Sequence, residues 1–267
     1  MTTIKKETVV SSIALMTGTP CEARLVPSDL KGIRIHFGGQ CVEAKVENVV
    51  STEHCTVLGN ANVQIMLVEH FMAACAICRI DSLDVYLNHF EMPILDGGSK
   101  QWVDAFNESG VETVEEKKYT IVEPVSYING KTHIVMLPSD KLNITYGVNF
   151  NHPDLKNRWV SANDDFSEII EARTFGYLKD LEMLQKAGYA RGVSVENTVG
   201  LTEEGYTTDL KSEFEPAKHK ILDLLGDLYL TGVNPLNLKA EIIVKEAGHA
   251  VHVNFAKQIK DKLVEEK

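Results

Sequence analysis

Apolar and polar residues alternate along much of the N-terminal part of the chain, which is the period of half-buried β-strands. Further along, apolar residues become denser and predict a helix that begins at Glu69. The pattern predicts, in order, strands at 8–15, 21–27, 33–37 and 42–46, a helix at 69–78, a strand at 82–87, and a helix from about 100 to 107. The first part of the chain should therefore combine a sheet with helices.

A polar and charged stretch at 107–118 interrupts this pattern, and its Gly110 can end a helix. We interpret the stretch as a linker between two domains, at 1–112 and 117–267. Beyond it the order recurs, with strands at 119–122, 126–129, 133–137 and 143–149, a helix at 218–230, a strand at 238–244, and a terminal helix from about 249 to 264.

Each half thus ends in a helix, a strand and a second helix, and the first of these helices opens with a histidine, His70 or His219. This distant internal repeat predicts an α+β fold, a duplicated two-domain α/β sandwich in which helices cover each sheet. If the two halves pack face to face, His70 should approach His219 and Asp223, and the active site should lie between the domains.

His219 and Asp223 are four residues apart, so their side chains lie on one face of the predicted helix. An imidazole and a carboxylate placed in this way can hold one cation, and a catalytic zinc needs three protein ligands with a fourth position open. The spacing alone is a weak signal, because most such pairs are solvated and bind no metal. With His70 added, the set supplies two histidines and one aspartate, as an open zinc centre requires.

The net charge of −11 argues against general nucleic-acid binding, which requires a basic surface. It also means that a polyanionic substrate needs a local basic cluster. No apolar run is long enough to span a membrane, and the N-terminus lacks the pattern of a secretory signal. The odd number of cysteines, five, predicts reduced thiols and a cytoplasmic protein.

Cys75 and Cys78 match the C-x-x-C pattern of redox sites. They fall inside an apolar helix rather than at its start, and no second pair exists to complete a structural zinc site. We expect small buried thiols, with redox or metal function as the alternative.

Six motifs carry a resemblance to a known family. They are Val-Glu-His and the helix after it at 68–74, Glu-Met-Pro-Ile-Leu-Asp-Gly-Gly-Ser at 91–99, Asn-Phe-Asn-His-Pro at 149–153, Ala-Arg-Thr-Phe-Gly at 172–176, the helix motif at 219–227, and Gly-His at 248–249. In this order and spacing the chain resembles, over nearly its whole length, the UDP-3-O-acyl-N-acetylglucosamine deacetylases, zinc amidases at the committed step of lipid A synthesis. The resemblance implies the duplicated α+β sandwich predicted above.

The resemblance also implies a catalytic set. His70, His219 and Asp223 would bind zinc, although iron(II) would tolerate the same ligands. Glu69 would be the general base, whereas without the resemblance it would be interpreted as an exposed carboxylate at a helix start. The remaining implied catalytic residues are His249, as the imidazolium that stabilises the oxyanion and protonates the leaving amine, Asp227, which would hydrogen-bond a histidine, and Thr174, which would donate its hydroxyl to the oxyanion.

For the substrate, the resemblance implies that Lys220 meets a phosphate and that Phe150 and Phe175 face the nucleotide and sugar, with Gly248 completing the binding set. The alternatives are a solvated helix lysine and ordinary core packing of the two rings. The family's apolar passage for the acyl chain would fall within 177–202. There, 188–195 is expected to form a strand and a loop that line the passage, or a simple surface hairpin.

Four positions depart from the family pattern. Met16 stands where the family usually has a histidine, Leu67 a threonine, Asn149 an aspartate, and Glu246 a basic residue. None belongs to the predicted zinc or proton-transfer set. Several fall where the sugar or diphosphate would bind, so they bear on the substrate more than on the reaction.

The expected function is therefore zinc-dependent removal of the N-acetyl group from UDP-3-O-acyl-N-acetylglucosamine in lipid A biosynthesis. The alternatives are a paralogous zinc deacetylase acting on a different N-acetyl sugar, and a non-catalytic binding protein on the same fold. The expected partner is the UDP-linked acylated glucosamine, with no nucleic acid, no membrane span and at most transient contact with a membrane surface. A cytoplasmic monomer is expected.

Overall fold

Strands and helices are interspersed along the whole chain, which a computed structural model describes at residues 1–112 and 117–266. The first range contains β1 (Thr3–Ile4), β2 (Thr8–Ile13), β3 (Pro20–Pro27), β4 (Gly32–Phe37), β5 (Gln40–Glu43), β6 (Val49–Ser51), β7 (Val57–Gly59), β8 (Gln64–Ile65), α1 (Glu69–Ile77), β9 (Ser82–Leu87), α2 (Lys100–Ser109) and β10 (Val111–Glu112). Part of the linker predicted at 107–118 lies outside the described residues.

The second range has the same mixture of elements. It contains β11 (Tyr119–Ile121), β12 (Val125–Asn129), β13 (Thr132–Pro138), β14 (Asn143–Val148), β15 (Arg158–Ala162), α3 (Ser167–Glu171), β16 (Thr174–Tyr177), α4 (Leu178–Lys186), β17 (Thr198–Leu201), α5 (Glu215–Tyr229), β18 (Leu238–Lys245), α6 (His249–Ile259) and β19 (Leu263–Glu265). Short 3-10 helices lie at Val46–Asn48, Pro153–Leu155, Pro235–Asn237 and Lys260–Lys262.

Two larger sheets organise these strands. The first has the order β2-β3-β9-β4-β5, in which β4 and β9 run parallel and the other neighbours antiparallel. The second has seven strands around β18, which pairs with β13 along one edge and with β11 and β14 along the other. Smaller sheets join β6-β7-β8, β1-β10 and β16-β17. The predicted α+β class is confirmed.

Helices α1 and α5 form the centre of the molecule. Eight of the nine residues of α1 are buried, and so are fourteen of the fifteen residues of α5. A helix that is covered on every side belongs to a core rather than a surface. The two helices contact each other so closely that a Cβ added at Gly226 would lie 2.0 Å from the carbonyl oxygen of Glu69.

The predicted elements differ from the structure mainly where chain segments are short. The terminal helix was expected to reach residue 264, but α6 ends at Ile259 and β19 follows, pairing with β11. The strand expected at 42–46 ends at Glu43. No strand lies within 188–195. The helix α4 precedes that segment and was not predicted. The strands β15 and β6 to β8 were also missed, because two to five residues leave little periodicity.

Replacing Gly226 with Ala should destabilise the protein, although Ala favours an exposed helix interior by about 1 kcal/mol over Gly. The new methyl group would meet the backbone of α1, and α1 and α5 would have to move apart. We expect a net loss of about 1–3 kcal/mol in the free energy of unfolding, the usual cost of overpacking a core. Urea titration measures it.

Gly205→Ala is the matched control, since no atom lies within 4 Å of its added Cβ and its φ is not positive. A Gly226→Ala protein as stable as the wild type would show that the helices are not held at this separation.

Candidate metal centre and active-site cavity

Three predicted metal ligands converge between α1 and α5. His70 lies in the first turn of α1, and His219 and Asp223 lie one turn apart on α5. The Oδ1 atom of Asp223 is 3.3 Å from Nε2 of His219 and 3.6 Å from Nε2 of His70. All three side chains are buried. The face-to-face packing that the histidines predicted therefore brings this set together.

Two buried side-chain atoms of this set form no hydrogen bond in the described part of the chain. These are Oδ1 of Asp223 and Nδ1 of His70. The Nδ1 atom of His219 donates to the carbonyl of Ala172 at 2.9 Å, which leaves its Nε2 directed at Asp223. Fixing one imidazole nitrogen by a carbonyl is how proteins orient a metal-binding histidine. An unpartnered carboxylate oxygen beside two imidazoles has the chemistry of a cation site.

The general-base candidate, Glu69, is the first residue of α1, and only 2% of its surface is exposed. The interpretation as an exposed helix-start carboxylate is therefore wrong. Its Oε2 accepts the backbone N–H of Thr56 at 3.0 Å, and its Oε1 is 3.6 Å from Nε2 of His249. Burial raises the pKa of Glu69, although the charges of His249 and His70 oppose the shift. A carboxylate with a raised pKa and a free oxygen suits proton transfer.

His249 begins α6 directly after Gly248, and it faces the same space. Its Nδ1 donates to Oδ2 of Asp227 at 2.9 Å, which turns its Nε2 toward Glu69 and Asp223. Burial alone would lower the pKa of His249, but the negative charges of Asp227, Glu69 and Asp223 outweigh it and raise that pKa to about 9. The pKa of Asp227 falls to about 2, because its histidine partners outweigh the effect of its burial.

Asp227 has further partners that sequence reasoning missed. The hydroxyl of Thr56 donates to its Oδ1 at 2.5 Å, and Nδ1 of His252 donates to its Oδ2 at 2.9 Å. The spacing of His252, three residues after His249 on one helix, was a usable signal. Thr56 gave none, since it lies 171 positions from Asp227.

Lys220 is buried, so its interpretation as a solvated helix lysine is wrong. It is only 8% exposed, and its Nζ donates to Oδ2 of Asp223 at 2.5 Å. This cation and the imidazole of His219 outweigh burial and hold the pKa of Asp223 well below its usual range. Lys220 lines the cavity, and phosphate contact stays a prediction.

These polar groups lie at one end of a cavity of about 360 Å³. The opposite walls are largely apolar and come from the β16–α4–β17 region and from the N-terminal part of the chain. The apolar lining residues include Leu15, Met16, Leu67, Phe175, Leu178, Leu181, Leu184, Tyr189, Val193 and Val195. The segment 188–195 thus lines the cavity as expected, although as turns rather than a strand.

The other predicted site residues lie at different depths. Thr174 and Phe175 line the cavity, and the rings of Phe175 and His219 are perpendicular, with their centroids 6.0 Å apart. The ring of Phe150 packs against that of Phe175, with their centroids 5.2 Å apart. Phe150 and Gly248 lie outside the cavity lining. Of the four departures from the family pattern, Met16 and Leu67 line the cavity, while Asn149 and Glu246 do not.

Two segments hold the cavity wall to α1 and α5. In the 91–99 motif, the carbonyl of Gly97 accepts the N–H of Thr174, and the hydroxyl of Ser99 donates to the carbonyl of His70. Arg173, buried, pairs with Glu215 in the first turn of α5 at 2.8 Å, and it also donates to the carbonyls of Val195 and Asp209. Sequence reasoning recognised the motif at 172–176 but gave Arg173 no role.

The C-x-x-C pair has the properties of core thiols. Cys75 is fully buried and Cys78 half-buried, and burial raises the pKa of Cys78 to about 12 and that of Cys75 well above its usual value. Thiols with such pKa values form little thiolate, so the structure gives no support to a redox role. Among the described helices, none has the length and apolar character needed to cross a membrane.

A family model for UDP-3-O-acyl N-acetylglycosamine deacetylase matches residues 1–261. The UDP-3-O-acyl-N-acetylglucosamine deacetylase of Leptospira biflexa is 35% identical over 96% of this chain and 88% of the relative. The proteins of that name from Geotalea uraniireducens and Trichormus variabilis are 34% and 30% identical, again over 96% of this chain and over 87% and 98% of their own lengths. The resemblance carried by the six motifs is confirmed, and the chain belongs to the UDP-3-O-acyl N-acetylglycosamine deacetylase family.

Proposed function

We propose that the chain is a zinc-dependent amide hydrolase that removes the N-acetyl group from UDP-3-O-acyl-N-acetylglucosamine in lipid A biosynthesis. The observation that carries the proposal is the grouping of His70, His219 and Asp223 beside Glu69 and His249 at the polar end of an apolar cavity. Family membership supplies the substrate class.

The three proposed ligands fit a zinc ion. Ligand atoms bound to tetrahedral zinc at about 2.0–2.2 Å are about 3.3–3.6 Å apart. The separations from Oδ1 of Asp223 to the two Nε2 atoms, 3.3 and 3.6 Å, agree with that edge length.

Two neighbouring groups, Asp227/His249/His252 and Glu69/Asp223/His249, also have ligand atoms close together. The oxygens of Asp227 are already hydrogen-bonded, and so is Oδ2 of Asp223, the oxygen that lies 3.9 Å from His249. Oδ1 of Asp223 has no hydrogen bond, which favours the set of His70, His219 and Asp223. Iron(II) accepts the same donors.

A bound zinc ion in such a centre polarises the amide carbonyl and lowers the pKa of water. Glu69 would take the proton of the attacking water, with its other oxygen held by Thr56. As the carbonyl carbon becomes tetrahedral, the imidazolium of His249 and the hydroxyl of Thr174 would hydrogen-bond the oxyanion. His249 would then give its Nε2 proton to the leaving nitrogen as the C–N bond breaks, releasing acetate and the free amine.

Lys220, Phe150, Phe175 and Gly248 would form the substrate-binding set, and the apolar wall within 177–202 would take the acyl chain. We also propose two domains, at 1–112 and 117–267, since every strand pair of the described residues lies within one of those ranges. The five cysteines are all free thiols, which suits a cytoplasmic enzyme. A monomer with transient membrane contact completes the proposal.

One observation favours a second candidate, a zinc deacetylase acting on a different N-acetyl sugar. Lys220 is the one lysine or arginine among the described residues lining the cavity, and it is already paired with Asp223. Glu246 lies 3.8 Å from Lys245 and weakens that cation as a second phosphate contact. A cavity with so little free positive charge would also suit a substrate without a diphosphate.

The metal proposal predicts that His70→Ala, His219→Ala and Asp223→Ala each lose most of the bound zinc, because each removes one of three ligands. Metal analysis of the purified, folded proteins measures it, with about one zinc expected in the wild type. His152→Ala is the control, since His152 is equally buried but bonds to the carbonyl of Gly205. Full zinc content in all three site variants would refute the ligand set.

The proton-transfer roles predict a bell-shaped dependence of kcat/KM on pH. Glu69 must be ionised, so activity is lost as pH falls through its raised pKa, above the usual value of 4.5. His249 must be charged, so activity is lost as pH rises through about 9. Glu69→Gln should reduce kcat by about 10²–10⁴-fold with zinc retained, and Asp227→Asn should move the alkaline limb to lower pH.

Glu91→Gln is the control for Glu69→Gln, because Glu91 is also a fully buried carboxylate but is absent from the cavity lining. Its oxygens accept the backbone N–H groups of Met16 and Thr17. Near wild-type turnover in zinc-loaded Glu69→Gln would assign the proton to another group. An alkaline limb unmoved by Asp227→Asn would remove His249 from the acid role.

The two substrate candidates differ in their response to added charge. If the substrate carries a diphosphate, Glu246→Lys should lower KM for a UDP-linked substrate and leave kcat nearly unchanged, the mark of uniform binding. Lys220→Ala should raise KM, with zinc content checked because Lys220 touches Asp223. Glu108→Lys on α2 makes the same change of charge at an exposed site and is the control. Weaker binding by Glu246→Lys, or no effect of Lys220→Ala, would favour the second candidate.

A further inference from the structure

A second histidine shares the carboxylate that holds His249. His252 lies one helical turn further along α6 and is fully buried. Its Nδ1 is 2.9 Å from Oδ2 of Asp227, the oxygen that also accepts Nδ1 of His249 at 2.9 Å. Neither the family match nor the proposed chemistry assigns His252 a role, and its side chain is absent from the cavity lining.

The far side of the His252 ring is bonded as well. The hydroxyl of Tyr146, on β14, lies 2.8 Å from Nε2 of His252 and 2.8 Å from the carbonyl of Ala247. Tyr146 is fully buried, and its ring meets the edge of the His252 ring. The carboxylate of Asp227 is thus held directly by Thr56, His249 and His252, and Tyr146 supports it through His252, so three parts of the chain contribute.

The direction of each hydrogen bond follows from the chemistry of its acceptor. An ionised carboxylate can only accept, so both histidines carry a proton on Nδ1. Burial lowers the pKa of His252, although Asp227 opposes the shift, so Nε2 of the neutral ring can only accept. The carbonyl of Ala247 also can only accept, and the single hydroxyl proton of Tyr146 is therefore shared between Ala247 and His252. His252 in turn donates its Nδ1–H to Asp227.

We propose that His252 and Tyr146 are positioning residues, which hold the carboxylate of Asp227 in the orientation that directs the His249 imidazole into the cavity. The proposal rests on the function proposed above, because it gives His249 a task in the reaction. Without His252, Asp227 would keep its hydrogen bonds from Thr56 and His249. It would lose the second donor to Oδ2, which opposes rotation of the carboxylate. A displacement of the acid group by a fraction of its hydrogen-bond length is enough to slow a reaction that depends on alignment.

A purely structural role would have a different signature. A buried polar network can stabilise a core without touching the chemistry, and its loss would lower the free energy of unfolding alone. A positioning role lowers kcat, leaves KM nearly unchanged, and is rescued by a side chain that restores the donor to Asp227.

The test compares His252→Phe, which keeps a ring but no donor, with His252→Asn, which keeps an N–H group near Asp227, and with Tyr146→Phe. All are assayed as zinc-loaded full-length proteins on the UDP-linked substrate. We expect His252→Phe to lower kcat on the order of 10–100-fold, the scale found for groups that orient a metal site. KM should change little, His252→Asn should recover most of the loss, and Tyr146→Phe should show a smaller loss.

Tyr229→Phe is the matched control. Its hydroxyl is also buried and donates to a carbonyl, that of Ile80, and it lies on α5 close to Asp227 without joining this network. It should lower stability as Tyr146→Phe does and leave kcat unchanged. If Tyr229→Phe lowers kcat as much as Tyr146→Phe does, the proposal is overturned. Unchanged kcat in folded His252→Phe would also overturn it. So would equal losses of kcat in His252→Phe and His252→Asn.

Nitrogen NMR of histidine-labelled, zinc-loaded protein gives a readout that does not require activity. The wild type should show His252 as the neutral ring protonated on Nδ1, and Tyr146→Phe should change the ring signals of His249 as well as those of His252. If His252→Phe does not fold, unchanged kcat and unchanged His249 signals in Tyr146→Phe overturn the proposal. A wild type that releases no acetate would refute the proposed function, whereas the NMR result would still decide whether the network orients His249.

Discussion

The contact between α1 and α5 at Gly226 sets the distance between the groups that these two helices bring to the site. A side chain at that position would collide with the carbonyl oxygen of Glu69, so the two backbones are in direct contact there. Glu69 and His70 are the first two residues of α1, and Asp223 and Asp227 lie on either side of Gly226 in α5. A wider separation would leave the imidazole of His70 too far from Asp223 to share one cation with it.

The same contact concentrates buried negative charge on the two helices. Glu69 on α1 and Asp223 and Asp227 on α5 are all buried. Buried carboxylates are tolerated only when they are paired or bind cations. Asp227 accepts hydrogen bonds from His249 and His252. Lys220 and His219 offset the charge of Asp223 and hold its pKa low, whereas the pKa of Glu69 is raised. Because the three carboxylates are paired unequally, Glu69 can accept a proton and Oδ1 of Asp223 is open to a metal.

Much of this arrangement could be predicted from the sequence, because it depends on long periodic elements. The helix start at Glu69, the pair His219 and Asp223, and the strand β9 are local patterns that survive folding almost unchanged. The partners of Asp227 depend on contacts between distant segments, which periodicity does not encode. Thr56 comes from a loop, Tyr146 from a strand of the other sheet, and the buried position of Lys220 from the packing around α5. The wall at 188–195 was misassigned as a strand because glycines and apolar residues in close succession suit both turns and strands.

The guanidinium of Arg173 ties the cavity wall to the helix that carries His219 and Asp223, through Glu215 at the start of α5 and the carbonyls of Val195 and Asp209. The shape of the cavity and the positions of His219 and Asp223 are therefore coupled. An insertion or deletion between 195 and 209 would pull on α5 and disturb His219, whereas one within α4 would alter only the length of the wall. Diversification of the cavity in this family should accordingly concentrate in and around α4, on the side of the wall that Arg173 does not hold.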